Sequence, residues 1–121
     1  MAKKICSPEN AEKVIKEVSG LIYAKGFHLK SKESVTIPRT ETSQLCPGFM
    51  MIDFYSSTAL YFLGQSGGYS KIQYKFLGPA DPQTDVVISA DSSGGFTITN
   101  NKTGYYSQLN IYFYRLNRNI N

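Results

Sequence analysis

Hydrophobic and polar residues alternate with a period of two through most of the chain, most regularly across residues 85–116. Val86, Ile88 and Ala90 alternate with Val87, Ser89 and Asp91, and Phe96, Ile98 and Asn100 with Thr97 and Thr99. Leu109, Ile111 and Phe113 then alternate with Asn110, Tyr112 and Tyr114. Such alternation sends successive side chains to opposite faces of a pleated strand. Ser92-Ser93-Gly94-Gly95 and Asn101-Lys102-Thr103-Gly104 supply joints whose residues accept the backbone angles of tight turns. The stretch is therefore expected as a β-meander of three consecutive strands.

The same rhythm extends upstream. Phe27 and Leu29 alternate with His28 and Lys30, Ser31-Lys32-Glu33 turns, and Val35 and Ile37 alternate again before Pro38. Residues 39–48 (RTETSQLCPG) are polar with a Pro-Gly close and read as a loop. Residues 49–55 and 58–63 are dense apolar runs, the first containing Asp53. Runs apolar on both faces suggest strands covered on both sides, by a second sheet and by a neighbouring subunit. Ile72, Tyr74 and Phe76 form one side of a further strand, opposite Lys71, Gln73 and Lys75. Residues 78–82 read as a loop, because proline cannot donate to a ladder.

Only the N-terminus has a helical period. Ser7-Pro8 is a helix start, and Ala11, Val14, Ile15, Val18, Leu21 and Ile22 fall on one stripe. The helix is expected to stop at Gly20 or run to Gly26. Its stripe fits packing against its own domain or a short oligomer seam leading into a stalk. One helix followed by about eight short strands favours a sandwich or barrel over a βαβ architecture. The expected fold is a mainly β, jelly-roll-like antiparallel sandwich, with residues 1–25 as N-terminal helix and 26–121 as β-sandwich head.

Charge alters this picture little. The net +4 belongs to residues 1–40, which hold 8 Lys/Arg against 4 Glu, while residues 41–121 hold 5 basic and 5 acidic residues. Nucleic-acid recognition wants basic residues clustered on the recognition surface, so the sheet is not expected to bind it. No apolar run approaches the roughly 20 residues that span a bilayer, so no membrane insertion is expected. The N-terminal lysines have no apolar stretch behind them, so no signal peptide is read and synthesis in a cytoplasm is expected. Cys6 and Cys46 have neither zinc nor CxxC spacing. They read as two thiols, or as a disulfide if the protein ends up outside the cell.

Catalytic groups are sparse. His28 is the sole histidine, and a lone histidine is most often a surface or packed residue. Asp53 lies within an apolar strand, where a carboxylate is costly unless paired or solvated. Burial there would prepare it for acid–base work; facing solvent, a cation or a subunit boundary would leave it structural. A glycosidase would need a second carboxylate across a cleft, and Asp85 and Asp91 stand at turn-like strand ends. Residues 64–68 are glycine-rich but lack the Lys-Ser/Thr of a phosphate loop. Residues 101–103 match a glycosylation sequon, most simply read as a turn. No catalytic residue, metal site or cofactor is expected. Eight of the tyrosines, including Tyr55, Tyr106, Tyr112 and Tyr114, lie in the β region. A ring with a polar tip suits core and interface positions, or a platform for sugars or a protein partner.

The order VTIP (35–38), GFMMIDFYSS (48–57), TALYFLG (58–64), VVISADSSGGFTITN (86–100) and QLNIYFYRL (108–116) resembles the C-terminal β-sandwich head domain of bacteriophage tail-fibre and head-fibre virion proteins. The resemblance spans about residues 26–116 and rests on a pattern of β elements without a catalytic signature. It implies a non-enzymatic homotrimer in the virion, contacting other virion proteins. It also implies a role in attachment to a host-surface glycan or protein, or in capsid decoration. The chain lacks the long shaft of a typical fibre, which suits a small separate subunit. On this reading Gln65, Ser66, Tyr69, Asp81, Gln83, Ser92 and Ser93 are candidate receptor-binding loop residues, with residues 101–106 at the opposite end. Val14, Val18, Leu21, Tyr112 and Tyr114 are candidate oligomer contacts. The alternatives are a free, monomeric carbohydrate-binding module and a small glycan hydrolase dependent on Asp53.

Overall fold

Eight antiparallel strands form the two layers of a β-sandwich in the computed structural model, which describes residues 20–65, 72–90 and 94–116. In chain order they are β1 (Leu21–Leu29), β2 (Ser34–Ile37), β3 (Gly48–Phe54), β4 (Ser57–Gln65), β5 (Ile72–Pro79), β6 (Val86–Ala90), β7 (Phe96–Asn100) and β8 (Leu109–Leu116). The larger sheet runs β1-β8-β3-β4-β5 and the smaller β2-β7-β6. Their inner faces close on a core that includes Ile37, Met50, Ile52, Leu63, Phe96, Ile98, Ile111 and Phe113, all essentially inaccessible to water. The expected mainly β sandwich is thus the fold.

The meander is not where the alternation placed it. β6 and β7 pair as a hairpin, but β8 leaves them and inserts between β1 and β3 in the opposite sheet. Three consecutively paired strands do occur, at β3-β4-β5, and β8 returns beside β3 in Greek-key order. Alternation reveals which side chains share a face but not which strand lies alongside, and β8 matches either location equally well.

Asn100, at the end of β7, marks the crossover. It is completely buried, and its side-chain amide donates to Leu29 O at 3.1 Å and to Ser107 O at 2.6 Å. Its side-chain oxygen accepts from Lys102 N at 3.0 Å. Its backbone N–H donates to Glu33 O, and its carbonyl accepts from Lys32 N. One side chain thereby ties the end of β1 and both ends of the 101–108 crossover into a single polar node within the core.

Three further expectations are corrected. Residues 39–45 form a short helix, α1 (Arg39–Leu45), rather than a loop. Pro38 starts it, its carbonyl accepting from Glu41 N and Thr42 N, and buried Thr42 and Leu45 plug one end of the sandwich. So few apolar residues leave no helical stripe to read. Gly78 and Pro79 extend β5, opposite Leu60 and Ala59, at an edge where a missing N–H costs no ladder bond. Residues 21–25 are already strand, so Leu21 pairs with Leu116 and is not part of a helical stripe. The remainder of the expected helix, with Val14 and Val18, lies outside the described residues, as does Cys6. Cys46 is buried beside α1.

At the edge of the core, Tyr61 packs edge-on against Tyr74 and Phe76 at 6.2 and 5.5 Å. Burial raises its phenol above the ordinary 10.0, and the nearby Asp81 and Tyr74 raise it further. The folded chain therefore holds this proton more tightly than the unfolded one. That contribution to stability is complete below pH 10.0 and is lost as pH rises beyond it. In urea melts at neutral pH and above pH 10.0, Tyr61→Phe is expected to keep more of its neutral-pH midpoint than the wild type. Parallel losses would refute the assignment.

Candidate functional site: the outer face of the larger sheet

Strand register lines up three rows across the solvent-facing side of the larger sheet. One is Tyr23–Tyr114–Phe49–Phe62–Lys75, and the next is Gly26–Tyr112–Met51–Leu60–Gly78. The third is His28–Asn110–Asp53–Thr58. In the first two rows, Lys75 at the edge strand is the only charged residue.

The aromatic side chains order one another. Tyr23 meets Tyr114 edge-on at 5.8 Å, and Phe49 meets Phe62 likewise at 5.7 Å. Gly26 makes room for this packing, because a Cβ there would run into the Tyr23 hydroxyl and touch the Tyr112 ring. Tyr23 and Phe62 are nonetheless exposed, and Phe49, Met51, Leu60, Tyr112 and Tyr114 only half-buried. None of the described elements covers this face. Of the expected oligomer contacts, Tyr112 and Tyr114 are here, joined by five apolar neighbours that become contiguous only through the β3–β8 pairing.

The polar third row opens into a hollow of about 350 Å³ lined by Asp53, Tyr55, Tyr106, Gln108 and Asn110. That volume lies in the lower range of small-ligand sites. Tyr55 sits in the two-residue turn between β3 and β4 and Tyr106 in the crossover. Their rings stack at 4.2 Å with an interplanar angle of 18°. Both tyrosines adopt left-handed backbone angles, φ 64° and 59°. An ordinary L-residue pays on the order of 1 kcal/mol or more for such angles. Tyr55 occupies a turn position where hairpins favour glycine or asparagine. Despite that cost, the rings remain 61% and 65% exposed. His28 Nδ1 lies 2.8 Å from Asn110 Oδ1, its N–H donating, which leaves the Asn110 amide N–H groups for the hollow. Asp53 accepts no hydrogen bond and makes no ion pair within the described residues. It faces outward rather than into the core, and it is the one carboxylate in the lining.

A second hollow, of about 210 Å³, lies at the other end of the sheet beside Lys25 and Glu41. Those two groups already pair at 2.6 Å, so it offers less unsatisfied chemistry.

The expected receptor loops do not gather on one end. Gln65 ends β4 on the α1 side of the sandwich, and Gly94 and Gly95 lie there too, Gly94 against Arg39. Ser66, Tyr69, Ser92 and Ser93 are outside the described residues. Asp81 and Gln83 lie at the other end, where Asp81 Oδ1 accepts from Gln83 N at 2.8 Å. This loop joins the crossover instead of opposing it: Asn101 Nδ2 donates to Thr84 O at 3.1 Å, and Asn101 N to Asp85 O at 2.9 Å. Sequence reasoning weighed Tyr55 and Tyr106 only as members of a tyrosine set suited to core, interface or a ligand platform, and placed Tyr106 in the 101–106 loop. It weighed Asp53 for catalysis or a structural role, and did not single out Gln108 or Asn110 as site residues. The available signal was an acidic residue inside an apolar run, with tyrosines at both adjoining turns.

Among the described residues, no group of three or more His, Cys, Asp or Glu side chains could hold a metal ion. No described helix is long and apolar enough to cross a membrane. No protein-family model, curated protein or solved structure matches this chain.

Proposed function

We propose that the chain is a non-enzymatic structural protein of a bacteriophage virion, a small fibre-head or decoration subunit that works as a homotrimer in host-surface attachment. The observation that carries this reading is the apolar face of the larger sheet, which none of the described elements covers. Phe, Tyr and Met with few charges are the composition of interface centres. A contiguous apolar patch of this kind marks an association surface rather than ordinary monomer surface. Further copies of this chain are the occupants the face suits best, since near-neutral faces that converge on a common axis meet without charge repulsion. The resemblance of residues 26–116 to fibre heads supplies the trimer and the virion setting.

The solution mass tests the proposal. Multi-angle light scattering is expected to give three times the chain mass, independent of concentration. Twice the mass would keep a copy on this face but overturn the trimer. A single-chain mass would overturn the assembly. It would favour the second reading, a free carbohydrate-binding module, which the exposed Tyr55 and Tyr106 beside Asp53 support.

A further inference from the structure

We infer that the hollow between the β3–β4 turn and the crossover binds a neutral pyranose sugar. The inference deepens the attachment reading by giving it a ligand class and a place, but it does not depend on assembly.

Three features of the lining converge on this class. First, the stacked Tyr55–Tyr106 pair holds two flat rings in place while leaving each largely open to water. The C–H face of a pyranose is a flat apolar surface ringed by hydroxyls, and it stacks on such a ring. Both tyrosines keep left-handed backbone angles at a cost in energy while their rings stay exposed, where they add little to the core. Second, the polar groups are a mixed set within one small volume. Asp53 only accepts, while the Gln108 amide and the free N–H groups of Asn110 donate, and Gln108 accepts as well. Vicinal sugar hydroxyls need that combination, because each donates one hydrogen bond and accepts others. Third, among the described residues no Lys or Arg lines the hollow. Asp53 therefore meets no cation there that could hold an acidic sugar or a phosphate, and its own charge repels them.

A quaternary ammonium is the competing ligand for aromatic rings beside a carboxylate. It is best held by a cage of rings that face it from several sides. Here the two rings are nearly parallel and in contact with each other, which presents a platform instead. Tyr105, 95% exposed next to Tyr106, offers a further ring for an adjoining sugar unit. The hollow also lies one row beyond the apolar face. A second copy seated on Phe49, Met51 and Tyr112 leaves it at the margin, open to a surface glycan.

The test uses the full chain on an array of immobilised glycans with neutral termini (hexoses and N-acetylhexosamines) and acidic termini (sialic and uronic acids), with free choline as a soluble competitor. Binding is expected to neutral termini only, without choline competition. Titration of the best binder is expected to weaken at least tenfold in Tyr106→Ala, Asp53→Asn and Tyr55→Gly. The glycine variant relieves the positive backbone angle while removing the ring, so lost binding there is not lost folding. Light scattering and melting temperature are followed for every variant. Absence of binding to every neutral glycan overturns the inference. So does binding confined to acidic termini, displacement by choline, or variants that bind as the wild type does. A monomer that binds refutes the trimer and keeps the site; a trimer that binds no glycan does the reverse.

Discussion

Replacing Asn100 with leucine is expected to lower the stability of the fold by about 3–4 kcal/mol. Leucine has the same branching and the same number of side-chain heavy atoms, though its two methyl groups are bulkier than the amide, so the loss is chiefly polar with some overpacking added. Three side-chain hydrogen bonds disappear, and the carbonyls of Leu29 and Ser107 and the N–H of Lys102 lose their partner. Each hydrogen bond contributes roughly 0.5–1.5 kcal/mol, and a buried group left unsatisfied costs about 1–3. The backbone bonds to Glu33 and Lys32 survive, which keeps the estimate below a simple sum of those terms. For a domain of this length the midpoint should fall by roughly 10–20 °C. Urea unfolding followed by circular dichroism measures it. A loss within about 0.5 kcal/mol, the range of an ordinary surface change, would show that the node does not hold the crossover. Because that crossover carries Tyr106, the same substitution is expected to loosen the Tyr55–Tyr106 stack.

Asn100 also shows where the chain was legible and where it was not. Its place on the inward face with Phe96 and Ile98 follows from alternation alone, and so do the strands around it. Local patterning reports local geometry: the second half of β1, the other seven strands, the 31–33 turn and the mainly β class could be read because each depends on neighbours in sequence. Partnership is a different kind of information. Whether β8 lies beside β7 or between β1 and β3 depends on how the whole core closes, and the alternation of Leu109, Ile111 and Phe113 suits both. The turn-like composition of residues 101–104 favoured the nearer partner. The buried amide of Asn100 is what makes the longer route tenable.

The hollow was hidden for the same reason. Asp53 and Asn110 stand on strands 57 residues apart in sequence and become neighbours only through the β3–β8 register. Tyr55 and Tyr106 meet only once both turns lie at one end of the sandwich. Their residue types are ordinary one at a time; their chemistry comes from juxtaposition. The apolar outer face was half legible, since runs apolar on both faces already suggested strands with two covered sides. Among the described residues, the smaller sheet supplies one cover and no element covers the other side.

That open side leads to the second large effect. Met51→Glu is expected to convert the proposed trimer into a monomer without unfolding it. Met51 lies in the middle row of the face, between Tyr112 on β8 and Leu60 on β4, and it points away from the core. In a single chain its side chain is half-buried at the surface, so a carboxylate there can reach water and the fold loses little. Within a seam the same carboxylate is enclosed by apolar side chains. With no cation within the two rows except Lys75 at the far edge, it stays unpaired. An uncompensated charge in such a place costs on the order of 3–5 kcal/mol, and a closed ring repeats that cost at every copy. Light scattering should then report the single-chain mass at concentrations where the wild type is fully assembled, while the melting temperature of the chain itself shifts by only a few degrees. Ser89→Glu, an exposed change on the smaller sheet, serves as the control and is expected to leave assembly intact. If Met51→Glu remains trimeric, the seam lies elsewhere and this face must be covered by something other than a second copy. If both variants dissociate, added negative charge is the cause and the location of the seam is left without support from this face.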